Sequence, residues 1–431
     1  MMESLMQYVW QHRLLLQTDL ATVSGERVSI VDPGTLNRDA GPDFFNAKIN
    51  IGGRMWAGDV EIHVRASDWH RHGHDGNPAY DSVVLHVVDR DDCKVTRGNG
   101  EVVPQMVMKC VPDFHRSYSE LVDRSDIDLP CAPQLSTFSR LHIADWLTSL
   151  AMERLYAKAD HILSLLDTYT GDWEQAAYVM LARSLGFGKN SDAMERLARS
   201  VPLNFLRKHA DSQTAIEAIF FGQAGFLEST AGADPYVGQL RREYGFLARK
   251  FSLRPPESLG WKMGRMRPQN FPYRRVATLA SMVAGDFRIV ARLVKMHTVE
   301  EAVEYFRKPI EGYWASHLTF GVPSSRPCET MSRSSATILV INAVAPLLVA
   351  YGDRHGDESL VTRAVDWLQQ LPAESNSLVA MFDRAGIPAR DAFTSQALIQ
   401  LRRAYCEPHR CLYCRFGHNL LARKALRREG L

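Results

Sequence analysis

A chain of 431 residues exceeds what one hydrophobic core usually serves, so two or more domains are expected. Apolar residues at 45% and charged residues at 23% exclude an intrinsically disordered polymer. The 51 Lys and Arg nearly cancel the 49 Asp and Glu, which excludes a strongly basic or acidic chain and leaves local clusters to indicate partners.

In chain order, the first element is an amphipathic helix in which Leu5, Tyr8, Val9, His12 and Leu15 recur at helical spacing. This opening lacks the basic, apolar and small-residue succession of an export signal. Short β-type runs follow, bounded by turn residues. They are Val28–Val31 before Asp32-Pro33-Gly34, Phe44–Ile51 before Gly52-Gly53, Met55–Val64, Ser82–Val88, and Val102–Val107 after Asn99-Gly100. The Gly52-Gly53 pair between two such runs is a two-residue hairpin signal.

Leu129-Pro130-Cys131-Ala132-Pro133 reads as a linker. It divides the chain into an α/β domain over 1–130 and a helical region over 131–431, an α+β organisation. Helical patterns run through Leu141–Leu166, Trp173–Leu185 and Thr337–Tyr351. The apolar run Ala336–Tyr351 falls short of the roughly 18–20 residues a membrane span requires, so a buried helix and no membrane partner are expected. Gly186-Phe187-Gly188-Lys189-Asn190 lacks the spacing and the Gly-Lys-Ser/Thr ending of a phosphate loop and reads as a helix break. Seven Cys, three of them packed between Cys406 and Cys414, do not resemble an oxidised secreted framework, and the cytoplasm is the expected compartment.

The chemistry concentrates in Gly41-Pro42-Asp43-Phe44 and Asp59-Val60-Glu61-Ile62-His63-Val64. Side chains alternate across a strand, so Asp59, Glu61 and His63 point one way while Val60, Ile62 and Val64 point the other. A row of acids at that spacing is unfavourable unless a cation offsets it. On the preceding run, Asn46, Lys48 and Asn50 share one face, and Phe45, Ala47, Ile49 and Ile51 the other. Strict alternation puts Asp43 on the apolar face, and only an irregular strand start after Pro42 moves it to the acidic row.

A Pro-Asp pair opening one strand, followed by Glu-x-Lys on the next, resembles the signature of the PD-(D/E)xK nuclease superfamily, carried here by Pro42-Asp43 and Glu61-Ile62-His63. The resemblance implies a restriction-endonuclease-like domain in which Asp43 and Glu61 hold Mg²⁺ or Mn²⁺, assisted by Asp59. It also implies a first-helix acid or Gln, for which Glu3 and Gln7 are candidates. His63 stands where that pattern has Lys, so His63 or Lys48 would position the water. The expected function is metal-dependent phosphodiester hydrolysis on DNA or RNA. The alternative is a non-catalytic nucleic-acid- or protein-binding scaffold on a degenerate nuclease-like domain.

Three other features carry expectations. Asp68-Trp69-His70-Arg71-His72-Gly73-His74-Asp75 is dense in possible metal ligands, with His86 inside a strand, so a His-rich transition-metal site is one reading; the favoured one is a polar loop, with His86 hydrogen-bonded in the core and His74 and Tyr80 as the residues to line any site there. Cys406, Cys411 and Cys414 have the spacing of a zinc knuckle and lack a fourth ligand nearby in sequence. His418 is the expected fourth ligand to Zn²⁺, with His409, Cys131 and Cys328 as alternatives. Arg265, Arg267, Arg274 and Arg275, interleaved with Trp261, Phe271 and Tyr273, suit phosphate contact and base stacking. As a whole, the chain resembles an uncharacterised bacterial family, on the two acidic segments, Arg267-Pro268-x-Asn270-Phe271-Pro272 and Cys411-x2-Cys414.

Overall fold

The computed structural model describes residues 2–15, 19–37, 39–109, 116, 118–119, 129–228, 234–266, 270–307, 309–324 and 330–426. The chain forms two compact units: Met1–Ser139 with Arg402–Leu431, and Arg140–Leu401. The first is sheet-rich and the second mostly helical, so the α+β class holds. The last thirty residues differ from the expected 131–431 region. Leu412 and Leu421 are buried in the same apolar cluster as Leu5, Val9 and Trp10 near the N-terminus, which ties the C-terminal segment to the sheet.

The sheet unit opens with helix α1 (Glu3–Gln11) and strands β1 (Leu20–Ala21), β2 (Arg27–Asp32) and β3 (Thr35–Leu36). Then come β4 (Phe44–Ile51), β5 (Arg54–Arg65), the short helix α2 (Asp68–Arg71), β6 (Val83–Arg90) and β7 (Gln105–Val107). The strands lie in the order β1-β2-β4-β5-β6-β7, with β3 also on β4. β4 runs antiparallel to β5, whereas β5, β6 and β7 are mutually parallel neighbours. The expected hairpin is present: Gly52 and Gly53 sit at φ 59° and 87°, left-handed conformations that glycine adopts without a Cβ penalty.

One irregularity positions everything that follows. Phe44 pairs with Val60 and Ala47 with Gly58, so β4 carries an extra residue there, and Asn46 takes φ 57°. A bulge of this kind reverses the alternation of side chains on either side of it. Phe44, Ala47, Ile49 and Ile51 all enter the core with Val60 and Ile62, and Phe45 does not. Asp59 holds the bulge: Oδ1 accepts the Asn46 N–H at 3.0 Å and Oδ2 the Ser82 hydroxyl at 2.6 Å.

In the helical unit the longest element is Arg140–Thr168. Gly186–Asn190 is a turn between the helices Trp173–Leu185 and Ser191–Ser200, as the sequence indicates. Arg333–His355 is a continuous helix of 23 residues, longer than the apolar run suggests, with a π-helical turn at Val340–Val344. By length and composition alone it is apolar enough to cross a membrane, and 78% of its most apolar window is buried inside the protein.

Asp59→Ala removes both acceptors and leaves the bulge N–H of Asn46 without its partner. A loss of about 1–3 kcal/mol is expected, read as a lower urea midpoint for the transition of the sheet unit, with Asp59→Asn intermediate.

Candidate metal centre

The bulge brings Asp43 onto the face of Glu61. The Asp43 N–H donates to Glu61 Oε2 at 3.0 Å, and the Ile62 N–H donates to Asp43 Oδ2 at 3.0 Å. Gln7 of α1 donates its amide to the other Asp43 oxygen at 2.7 Å. Two carboxyl groups, one just before β4 and one on β5, thus meet beside the first helix.

The remaining oxygen of Glu61 faces imidazoles. Oε1 lies 3.4 Å from His63 Nε2 and 3.2 Å from His74 Nε2. The His74 approach is off the line of a hydrogen bond, so both nitrogens of this buried ring lack a hydrogen-bond partner. His63 Nε2 is 3.2 Å from His72 Nδ1, and His63 Nδ1 is 2.9 Å from His86 Nε2. His63, His72 and His74 each offer one nitrogen within 4.8 Å of the others. Short elements do the steering. His72 closes α2, Gly73 at φ 72° turns the chain, and a single 3-10 turn carries His74 back. Tyr80 stacks on His74 at 3.8 Å, and Trp69 lies against His74 and His86. His70 turns away to Asp75 at 3.1 Å.

Burial dominates the electrostatics. It pushes the carboxyls of Asp43 and Glu61 well above the usual range, and for Asp43 the Glu61 charge adds to it. Burial likewise pushes His63 down to about 2 and His86 to about 3, so both rings are neutral at physiological pH. Neutral imidazole is a ligand for transition metals. Among the described residues His63, His72 and His74 are the group whose ligand atoms lie close enough to share a metal ion, and Glu61 Oε1 lies beside two of them.

The structure sorts the other expected residues. Asp59 is engaged with the bulge, as described. Lys48 is exposed and pairs with Ala57, four residues before Glu61 on β5, so its backbone is about 13 Å up the sheet from the carboxyl pair at a strand rise of ~3.3 Å per residue. Lys48 thus stands apart from the carboxyl pair. Glu3 and Gln7 of α1 are both drawn in, Gln7 directly and Glu3 through its field on Asp43 and Glu61. His72 and His86 read as part of a separate His-rich segment, and the sequence does not join them to Glu61 and His63. The only sign of them was an unusual density of histidine, including one inside an apolar strand. His418 accepts or donates a short hydrogen bond with the Tyr8 hydroxyl and lies edge-on to His12.

The expected basic surface is corrected. Arg274 and Arg275 are buried, at 3% and 6% exposure. Arg274 donates to the His317 carbonyl, and Arg275 donates to Asn270 and lies over the Phe187 ring. Only Arg265 of the described group is exposed; Arg267 and Cys328 lie outside the described residues. A different concavity in the helical unit, about 470 Å³, is lined by Arg154, Lys158, Arg183, Arg196 and Arg199 against Asp192 and Glu195.

Raised carboxyl pKa values mean that the folded state holds protons which the unfolded chain, titrating near pH 4, has already released. Stability contributed by this pair is therefore lost as pH rises from about 5 toward 8. The depressed His63 and His86 act in the opposite sense up to the unfolded histidine range, so the metal-free protein should show a falling thermal midpoint from about pH 6.5 to 8, by on the order of 5 °C. Glu61→Gln should flatten the slope, and Mn²⁺ should raise the midpoint more at pH 8 than at pH 5.

No curated protein and no solved structure is matched by the chain. A family model described as "Protein of unknown function (DUF2851)" matches residues 3–377. The match spans the sheet, the acidic pair, the histidines and nearly all of the helical unit, and the chain belongs to that family.

Proposed function

We propose that this protein is a divalent-metal-dependent phosphodiesterase acting on nucleic acid, built on a restriction-endonuclease-like sheet unit. One observation carries the reading: Asp43 and Glu61 converge from neighbouring strands through reciprocal backbone-to-carboxylate hydrogen bonds, with Gln7 of the first helix on Asp43. The mixed order of antiparallel β4–β5 and parallel β5–β6–β7 beside α1 supports the fold assignment.

His63, His72 and His74, with Glu61 beside two of them and Asp43 hydrogen-bonded to Glu61, would hold the ion. A divalent metal there would supply charge neutralisation for a phosphodiester and a more nucleophilic water. The protein's own groups hold that arrangement. Gln7 fixes the Asp43 carboxylate, and the His86 contact orients the His63 ring so that Nε2 faces inward. Trp69 and Tyr80 cover the inner histidines. His72 is the exposed member of the group, and Arg71 reaches its Nε2 at 3.5 Å. In this reading Arg71, which also pairs with Asp68, supplies the fixed positive charge that His63 cannot. The basic concavity of the helical unit suits an anionic polymer.

The test offers purified protein single-stranded, duplex and branched DNA, and RNA, with Mn²⁺ or Mg²⁺. Mn²⁺ should support cleavage better than Mg²⁺. Asp43→Asn and Glu61→Gln should abolish it, and His86→Phe should weaken metal affinity by about 10–100-fold. Equal cleavage by wild type and both carboxylate variants identifies a contaminant and defeats the enzyme reading. Binding without cleavage under every condition favours the scaffold.

A further inference from the structure

The concavity of about 470 Å³ lies wholly within the helical unit, and three helices build its walls. Arg154, Ala157, Lys158 and His161 stand at i, i+3, i+4 and i+7 along Arg140–Thr168. Asp192, Glu195, Arg196 and Arg199 repeat that spacing along Ser191–Ser200. Each set therefore forms one stripe on its helix. Met180 and Arg183 of Trp173–Leu185 supply the third wall, and Gln400 borders the space from the end of Ala392–Gln400.

Glu195 is the anchor: it is buried, and groups from all three helices meet on it. Its Oε1 accepts Arg199 Nε at 2.9 Å and Nη2 at 2.7 Å. Its Oε2 accepts Arg183 Nη1 at 2.7 Å and lies 3.4 Å from His161 Nε2. Arg183 Nη1 also donates to Asp192 at 2.7 Å. On the facing stripe, Gln396 Oε1 receives both Arg154 Nε at 2.7 Å and Lys158 Nζ at 2.5 Å. Arg196 Nη2 donates to the Leu259 carbonyl at 2.8 Å. Every cation of the lining is thus tethered to a protein acceptor, which limits the freedom it loses when a ligand arrives.

The lining holds five fixed positive charges against the two carboxylates of Asp192 and Glu195. Glu374 and Glu153, outside the lining, accept the amides of Gln396 and Gln400. Tethering leaves donors over: among the described residues, Arg183 Nε and Nη2 and Arg196 Nη1 have no protein acceptor. Like charges gathered this closely repel unless an anion joins them. A carboxylate offers two oxygens in one plane, and a phosphodiester one charge. A phosphomonoester offers three acceptor oxygens and a charge of about −1.5 to −2, which suits forked donors arriving from several helices. The volume falls within the roughly 300–1,000 Å³ of small-ligand sites. His161 is the one ring in the lining, so charge and not a base is what these walls recognise.

We infer that this concavity binds a phosphomonoester group, carried by a small phosphorylated molecule or by the phosphorylated end of a nucleic-acid strand. The strand-end source rests on the phosphodiesterase reading above; the small-molecule source does not.

The experiment measures binding by calorimetry to full-length protein with no divalent metal added. One pair of probes is adenosine monophosphate and adenosine; the other is a short DNA strand with phosphate or with hydroxyl at its ends. The phosphorylated member of at least one pair should bind about tenfold tighter or more, and the pair that shows the preference names the source. Arg183→Gln and Arg196→Gln should each weaken that binding by about tenfold, and Asp192→Asn should strengthen it. Arg288→Gln, outside the lining, should leave it unchanged. If Arg183→Gln fails to fold, the opposite signs at the exposed Arg196 and Asp192 still decide. Equal affinity within both pairs, or affinity indifferent to Arg196 and Asp192, overturns the inference. Neither result touches the phosphodiesterase reading, which cleavage tests separately; absence of cleavage with phosphomonoester binding kept defeats that reading and leaves this site to a small molecule.

Discussion

Asp43 and Glu61 lie side by side largely out of water, and that juxtaposition constrains the whole sheet unit. Removing a carboxylate from water costs several kcal/mol, and a second one nearby adds repulsion. The fold offers amide donors from Asp43, Ile62 and Gln7, which stabilise negative charge without cancelling it. His63 and His86 are held neutral by burial, so they bring no counter-charge. A neutral imidazole can give a carboxylate an N–H or give a cation a lone pair, but it does not cancel the carboxylate's charge.

Much of this was legible in the sequence where local rules govern. The Gly52-Gly53 hairpin follows from two left-handed positions, and the row of Asp59, Glu61 and His63 follows from alternation. Alternation failed at Asp43, because the bulge at Asn46 reverses parity. That bulge depends on Asp59 and Ser82, residues on β5 and the turn before β6. No periodicity within Phe44–Ile51 encodes such a contact. The histidines were similarly opaque. His72 and His74 converge only because Gly73 turns the chain between them, and His86 joins them across a parallel strand pair whose register is tertiary.

The arginines illustrate a different limit. Arg274 and Arg275 look like a phosphate-binding pair when read beside Phe271 and Tyr273. In the fold they act as hydrogen-bond donors to the His317 carbonyl and to Asn270, and the guanidinium of Arg275 lies over Phe187. Composition distinguishes charge from its absence; it does not distinguish a solvated cation from one used as internal scaffolding. The cationic concavity instead draws on Arg154, Lys158, Arg183, Arg196 and Arg199, spread over 46 positions of sequence and gathered by helix packing.

The apolar core of the sheet unit takes side chains from Leu5 to Leu421, whereas Arg140–Leu401 forms a unit without interruption. On the ribosome, the middle of the chain therefore has all its parts before the beginning does. Domains generally fold as they emerge, N-terminal first; here the core of the sheet unit lacks Leu412 and Leu421 until a segment about four hundred residues downstream of Leu5 has been made. Until then that part of the apolar cluster is left without its cover.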